Sequence, residues 1–169
     1  MYEGSQGLLL DQHYGFFPYV TRSNTGTENI LALCGDSKPK IFLVTRAYQT
    51  RHGLGPMSNE GLPHNIKENS FETNVYNPYQ GEFRRSLLDL SLLEYAIQRD
   101  RVIAADPEKS LVITCLDHIR DEYRFTRNGQ VVYCDNQNNF VEKIAEHLKL
   151  KEVFMSASDD SAGLVRRVF

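Results

Sequence analysis

At 169 residues the chain is long enough to bury a single core, and 41% hydrophobic with 24% charged residues and no long single-letter tract excludes the disordered and fibrous classes. A net charge of -3 gives no basic field for a nucleic-acid backbone, so polynucleotide binding is not expected. Cys34, Cys115 and Cys134 form no CxxC pair, and there is neither a charged-then-apolar leader nor an apolar run of about 18 residues, which fits a reduced cytoplasmic setting without a membrane span.

Met1-Tyr2-Glu3-Gly4 enters a glycine loop after at most a stub of strand, so an upstream part outside this chain is expected. Residues 8 to 30 are dense in Gly, Pro, Asn, Thr and aromatics without a period, and read as a long ordered loop that carries function. The run Ile41 to Tyr48 is short, apolar and β-branched, the signature of a buried strand feeding the polar stretch Thr50 to Pro56. Gly53, Gly55, Pro56, Gly61, Pro63 and Pro78 break residues 53 to 81 into a surface excursion. A helix is expected from about Ser86, with Ser86 as its cap and Leu87, Leu88, Leu92, Tyr95 and Ala96 facing inward. Arg99 to Arg101 end it with positive charge that suits a helix C-terminus.

Leu111 to Leu116 reads as a second apolar strand, ending in Asp117 and His118. Tyr123 to Phe125 and Val131 to Tyr133 flank Asn128-Gly129, the strongest short hairpin signal. After Asp135, the residues Phe140, Val141, Ile144, Ala145 and Leu148 fall at helical spacing, and Val153 to Met155 begins one more buried strand. Strands that alternate with helices predict an α/β fold with a mixed sheet flanked by helices. No repeat or linker divides the chain, so residues 1–169 are expected to form one domain.

The opening loop carries the first chemistry. Gly4 and Gly7 let the backbone approach a flat ligand closely, and Gln6 offers an amide donor and acceptor to a purine edge. Thr21 and Thr25 add hydroxyls, and the backbone N–H groups around Ser23 and Asn24 suit a phosphate. The plainer alternative is a tight turn at Gly4 and Gly7 with Thr21 as a helix cap. In order and spacing, Glu3-Gly4-Ser5-Gln6-Gly7, Leu8 to Asp11, Gly15, Phe17-Pro18-Tyr19-Val20-Thr21 and Ser23-Asn24-Thr25 resemble the adenylosuccinate synthetase family. The resemblance assigns Thr21 to a bound nucleotide monophosphate.

Three further blocks extend it. Thr45-Arg46-Ala47-Tyr48-Gln49-Thr50-Arg51-His52-Gly53-Leu54-Gly55-Pro56 looks like the family's Lys-Ala-Tyr-x-Thr-Arg-x-Gly-x-Gly-Pro segment, with Arg46 in place of the lysine. The family position now held by His52 meets the monophosphate's ribose mainly through its backbone; a general-base role for the His52 imidazole is the alternative. Tyr79-Gln80-Gly81-Glu82-Phe83-Arg84-Arg85-Ser86-Leu87-Leu88-Asp89 stands where the family has a Thr-Thr-Gly loop and several arginines. Arg84 and Arg85 are the candidates for gripping the carboxylate of substrate aspartate, because a planar guanidinium binds carboxylate in two parallel hydrogen bonds; a solvated helix start is the plainer reading. Val112-Ile113-Thr114-Cys115-Leu116-Asp117 is similar to the Thr-Lys-Leu-Asp that reads guanine in GTP, with Cys115 in place of the lysine and Asp117 as the acceptor. Ser156 and Ser158, in Phe154-Met155-Ser156-Ala157-Ser158, match the family's Ser-Thr-Gly segment at the same purine. His13, His64, His118 and His147 lack metal-ligand spacing and are expected to be structural or exposed.

The resemblance implies a ligase that joins aspartate to IMP with hydrolysis of GTP or ATP, with Mg²⁺ as cofactor and a homodimer as the assembly. It covers nearly the whole of this chain but only the C-terminal part of a full-length enzyme. The family's phosphate loop Gly-Asp-Glu-Gly-Lys-Gly is not among residues 1–169, so a partial P-loop-like fold, inactive alone and with its metal ligands elsewhere, is expected. One alternative is the phage-type branch that adds aspartate to dGMP and tolerates ATP; another, of a different class, is a non-catalytic nucleotide-binding module.

Overall fold

The short apolar runs of the sequence form two mixed sheets joined at a single residue. The computed structural model describes residues 1–4, 6–68, 73 and 75–169. Ser5 of the glycine loop and residues 69–72 and 74 of the 53–81 excursion lie outside them. In chain order the strands are β1 (Phe42–Arg46), β2 (Tyr48–His52), β3 (Phe83–Asp89), β4 (Ser110–Thr114), β5 (Tyr123–Arg127), β6 (Gln130–Cys134), β7 (Glu152–Ser156) and β8 (Leu164–Val168). The helices are α1 (Glu28–Cys34), α2 (Leu90–Arg99), α3 (Arg101–Ala105) and α4 (Gln137–Leu148). Among the described residues no helix is long and apolar enough to cross a membrane.

The first sheet has the order β1-β4-β7-β8, with β1, β4 and β7 parallel and β8 antiparallel at the edge. The second has the order β2-β3-β5-β6, antiparallel except for β3 beside β5. Ala47 links them: it is 1% exposed, its N–H donates to the Thr114 carbonyl at 2.8 Å, and the chain bends there from β1 into β2.

Strand alternation sends Leu111, Ile113, Val153 and Met155 into one core, and α4 meets them with Phe140, Val141, Ile144 and Ala145, all fully buried. Each of these side chains except that of Ala145 contributes about 1.5–3 kcal/mol on burial. The Asn136 side chain caps α4 by accepting from Asn139 N–H at 3.0 Å, and Lys149 ends it in the left-handed region. The hairpin forms as expected, with Asn128 and Gly129 at φ of 50° and 75°, both positive as a tight type I′ turn requires.

Two expectations need correction. The helix expected from Ser86 begins at Leu90. Residues Phe83–Leu87 pair with β2 instead, and Leu88 and Asp89 pair with β5; Ser86, Leu87 and Leu88 are buried, and Asp89 is the cap, accepting from Ser91 and Leu92 N–H at 3.0 and 3.3 Å. A sheet that supplies a hydrogen-bond partner to every residue overrides local helix preference. The helix does end at Arg99, with that cation in its last turn, and Asp100 then starts α3 by accepting from Val102 and Ile103 N–H. The stretch expected as loop from Thr50 is strand as far as His52.

Candidate functional site

Parallel strands aim their C-terminal ends at one edge, which is where open α/β sheets place ligands. Here Arg46 ends β1 opposite Thr114, and Ser156 ends β7 one step beyond the Ile113–Met155 pair, so the three strands finish in line. Cys115 then takes the left-handed conformation, φ 58° and ψ 33°, and turns the chain sharply. The turn returns Leu116 to the core, fully buried, and leaves the Asp117 carboxylate 41% exposed. The Tyr123 hydroxyl holds the turn by donating to the Leu116 carbonyl at 3.1 Å. Burial, and then the charge of Asp117, push the Tyr123 phenol up. Ser156 and Ser158 close the neighbouring loop on itself, their hydroxyls donating to the Ser158 and Asp160 carbonyls.

The opening loop is organised by Asp11, which is 1% exposed. Its carboxylate accepts from His13, Tyr14 and Thr25 N–H at 2.8, 3.3 and 2.7 Å. Burial pushes that carboxyl up, but the backbone donors outweigh it and the net shift is downward. Thr25 Oγ1 donates to the Gly7 carbonyl, and Thr21 N–H donates to the Leu10 carbonyl. Gln6, exposed, and Thr21 therefore stand on one cross-braced loop. Thr25, by contrast, is committed to the brace and not to a ligand. Gly15 admits no side chain, since a Cβ there would lie 2.5 Å from the Leu9 carbonyl and 2.6 Å from that of Asp11.

Two contacts fix where this loop sits. Asp100 accepts from Thr27 N–H and Oγ1 at 2.7 and 2.9 Å, tying it to α3. Arg51 donates to the Tyr19 carbonyl at 3.4 Å and to the Leu54 carbonyl at 3.0 Å, tying it to the end of β2. Arg51 therefore brings the Gln6–Thr21 loop beside the His52–Gly55 turn. The His52 ring packs edge-on against Phe83, with Nε2 3.3 Å from the Gly81 carbonyl, so its side chain belongs to the neighbouring turn.

Arg84 and Arg85 are consecutive on a strand and so leave it on opposite faces. Arg84 donates to the Gly53 and Gly55 carbonyls at 2.7 and 2.8 Å and pairs with Glu60, clamping the β2–β3 excursion. Arg85 lies over the Phe83 ring at 5.5 Å, and Arg46 approaches the same ring at 5.8 Å. The two arginines are not brought together. Sequence reasoning also passed over Tyr48 and His118, which meet at this edge with Oη and Nδ1 2.8 Å apart. No spacing signal links residues 70 positions apart. Among the described residues no cluster of three or more His, Cys, Asp or Glu is placed to hold a metal ion.

Comparison with known proteins places this geometry among relatives. The family model described as adenylosuccinate synthetase matches residues 1–159. The adenylosuccinate synthetase of Thermoplasma volcanium is 32% identical over 172 residues, covering 98% of this chain and 38% of that protein. The one from Francisella tularensis subsp. novicida is 30% identical over 138 residues, covering 79% of this chain and 32% of that protein. The chain thus spans well under half the length of these curated relatives. Among solved structures, fully ligated adenylosuccinate synthetase from Plasmodium falciparum superposes with a TM-score of 0.66 at 17% identity, over 97% of this chain and 49% of that one. The succinoaminodeoxyadenylate synthetase of cyanophage S-2L, bound to dGMP and dATP as an energy donor, gives 0.58 at 16%, over 96% and 45%. At these identities the two structures speak for the fold.

Proposed function

The chain belongs to the adenylosuccinate synthetase family, and on that premise we propose that it is the nucleotide-recognising part of a purine-biosynthetic ligase that joins aspartate to IMP. The observation that carries the proposal is the open edge of the parallel sheet, where Asp117 is turned outward between the ends of β1 and β7. A carboxylate is acceptor-only and so matches the N1–H and exocyclic amine of guanine, with Cys115, Ser156 and Ser158 around the base. Gln6 reads the purine of the monophosphate, Thr21 meets its phosphate, and the backbone at His52 meets its ribose. Of the two arginines, Arg85 is the one that faces away from the structural clamp and suits the aspartate carboxylate.

In this reading the 6-oxygen of IMP attacks the terminal phosphorus of the triphosphate and releases the diphosphate. The aspartate amine then displaces the new phosphate, which is a far better leaving group than the oxygen it replaced. Mg²⁺ would neutralise charge between the phosphates, with its protein ligands expected in the phosphate-loop portion of the family and not among the described residues of this chain. The active assembly is a homodimer that includes the phosphate-loop portion of the family. A second reading takes dGMP as acceptor and ATP as donor. Its support is Cys115, which leaves the purine edge without a long covering side chain.

The test separates recognition from turnover. The isolated chain should bind purine nucleotides yet make no adenylosuccinate from IMP, aspartate, GTP and Mg²⁺ in a coupled absorbance assay. Turnover above a Gln6→Ala control overturns the assignment of the chain as a recognition part only. Binding of neither nucleotide class overturns the assignment of the edge.

A further inference from the structure

At the open edge four side chains form a row of polar contacts that begins at a guanidinium, which only donates, and ends at a carboxylate, which only accepts. Arg46 Nη1 lies 3.4 Å from Tyr48 Oη and donates to it. Tyr48 Oη and His118 Nδ1 are 2.8 Å apart, and the two rings stack with centroids 5.8 Å apart; of the two neutral tautomers, the one in which the phenol donates to Nδ1 turns an N–H, and not a lone pair, towards the Asp117 carboxylate. A neutral imidazole that accepts at Nδ1 carries its proton on Nε2. Nε2 faces Asp117 Oδ2 at 3.8 Å. That is too long for a hydrogen bond, but close enough for the N–H dipole to bias the rotation of the carboxylate. Tyr48 is 3% exposed, and its burial pushes the phenol up, which keeps it a donor. The His118 side chain is 16% exposed against 41% for Asp117, so the ring lies on the protein side and the carboxylate on the solvent side.

We infer that His118, held as its Nε2–H tautomer by Tyr48, is a positioning residue that orients Asp117 and thereby sets the preference of this edge for guanine over adenine. The inference rests on the proposed role of Asp117. Two donors on guanine require both carboxylate oxygens in the plane of the base. An exposed aspartate left alone rotates among orientations, of which few satisfy that condition. The Cys115 side chain is too short to cover the base, so the restraint has to come from the turn itself.

The experiment titrates the chain calorimetrically with GTP and with ATP at about pH 8. Wild type is compared with His118→Leu, His118→Gln, Tyr48→Phe and Asp117→Asn. His118→Leu should narrow the GTP:ATP affinity ratio by roughly threefold or more, the worth of one modest polar interaction. Tyr48→Phe should narrow it less. His118→Gln should keep the wild-type ratio, because its amide nitrogen can stand where Nε2–H stood. In long-range ¹⁵N correlation spectra the His118 ring should show a protonated Nε2, with mixed tautomers in Tyr48→Phe. A protonated Nδ1 in wild type overturns the inference whatever the variants do. If Asp117→Asn abolishes the preference while a folded His118→Leu keeps it, the purine-edge reading stands and this inference falls. Binding of neither triphosphate by wild type overturns both.

Discussion

Glu152 and Asp117 stand at opposite ends of the same parallel strands and are treated in opposite ways. At the N-terminal edge, Glu152 accepts from the buried Ser110 hydroxyl, from Lys40 Nζ at 2.9 Å and from Arg166 Nε. The hydrogen bonds from Ser110 and then Lys40, against some cost of burial, hold its carboxyl down at about 2. At the C-terminal edge Asp117 is 41% exposed, against 11% for the Glu152 side chain, and has one imidazole at 3.8 Å. A carboxylate enclosed by its own neighbours stabilises the fold and has nothing left for a ligand. One turned out of a strand end beside a single ring remains available. Asp11 and Asp100 belong with Glu152, since both are buried and both are bound by backbone donors.

The sharpest test of the contrast is Glu152→Ala. It leaves Lys40, Arg166 and Ser110 without their shared acceptor, and should lower the unfolding midpoint by roughly 5–10 °C while leaving nucleotide affinity unchanged. The same group gives a pH signature. Its folded value lies below the ordinary 4.5, so its contribution is complete above pH 4.5 and is lost as pH falls towards 2. Chemical denaturation across that window should show a steeper loss of stability in wild type than in Glu152→Gln, and equal slopes would refute the closed-edge description. Asp11→Ala should cost about 2 kcal/mol, because it strands backbone donors inside the opening loop. It should also weaken monophosphate binding, which no change at Glu152 does; thermal melts paired with IMP titration separate the two.

Asp117→Asn reverses the pattern. Stability should move by less than about 0.5 kcal/mol, as at other surface positions. A hydrogen-bonded carboxylate is worth about 1.5–3 kcal/mol, and without a covering side chain the lower end applies, so wild type should prefer GTP over ATP by only about tenfold. The variant should lose that preference. Competition titrations against a fluorescent triphosphate analogue measure it, and a wild-type preference above about a thousandfold, or an unchanged ratio in the variant, would break the contrast. The smallest effect is expected for Ser156→Ala, about twofold or less in triphosphate affinity, since its hydroxyl is already engaged with the Ser158 carbonyl.

Much of this was legible in the residues alone, and the reason is local. Asn128-Gly129 specifies a turn that only those φ values allow, and Phe140 to Leu148 carry a helical period that needs no partner to be read. The apolar runs at Leu111 and Val153 are buried strands because β-branched and aliphatic residues of that length fit a covered sheet, whereas the run from Ile41 is a strand only to Arg46 and lies at the sheet edge with Phe42 and Val44 exposed. The ordered blocks from Glu3 to Asp117 carried the family, because their identities and spacings are properties of the sequence itself. Tertiary structure decided the rest. It drew Ser86 into a strand where local preference favoured a helix, because β2 offered hydrogen bonds that a helix start does not. It set Arg84 and Arg85 on opposite faces, because a strand alternates its side chains. It brought Tyr48 to His118 across 70 positions, and enclosed Glu152 while leaving Asp117 open, because which side chains share an edge depends on strand order in space, and strand order is not a local property of any segment.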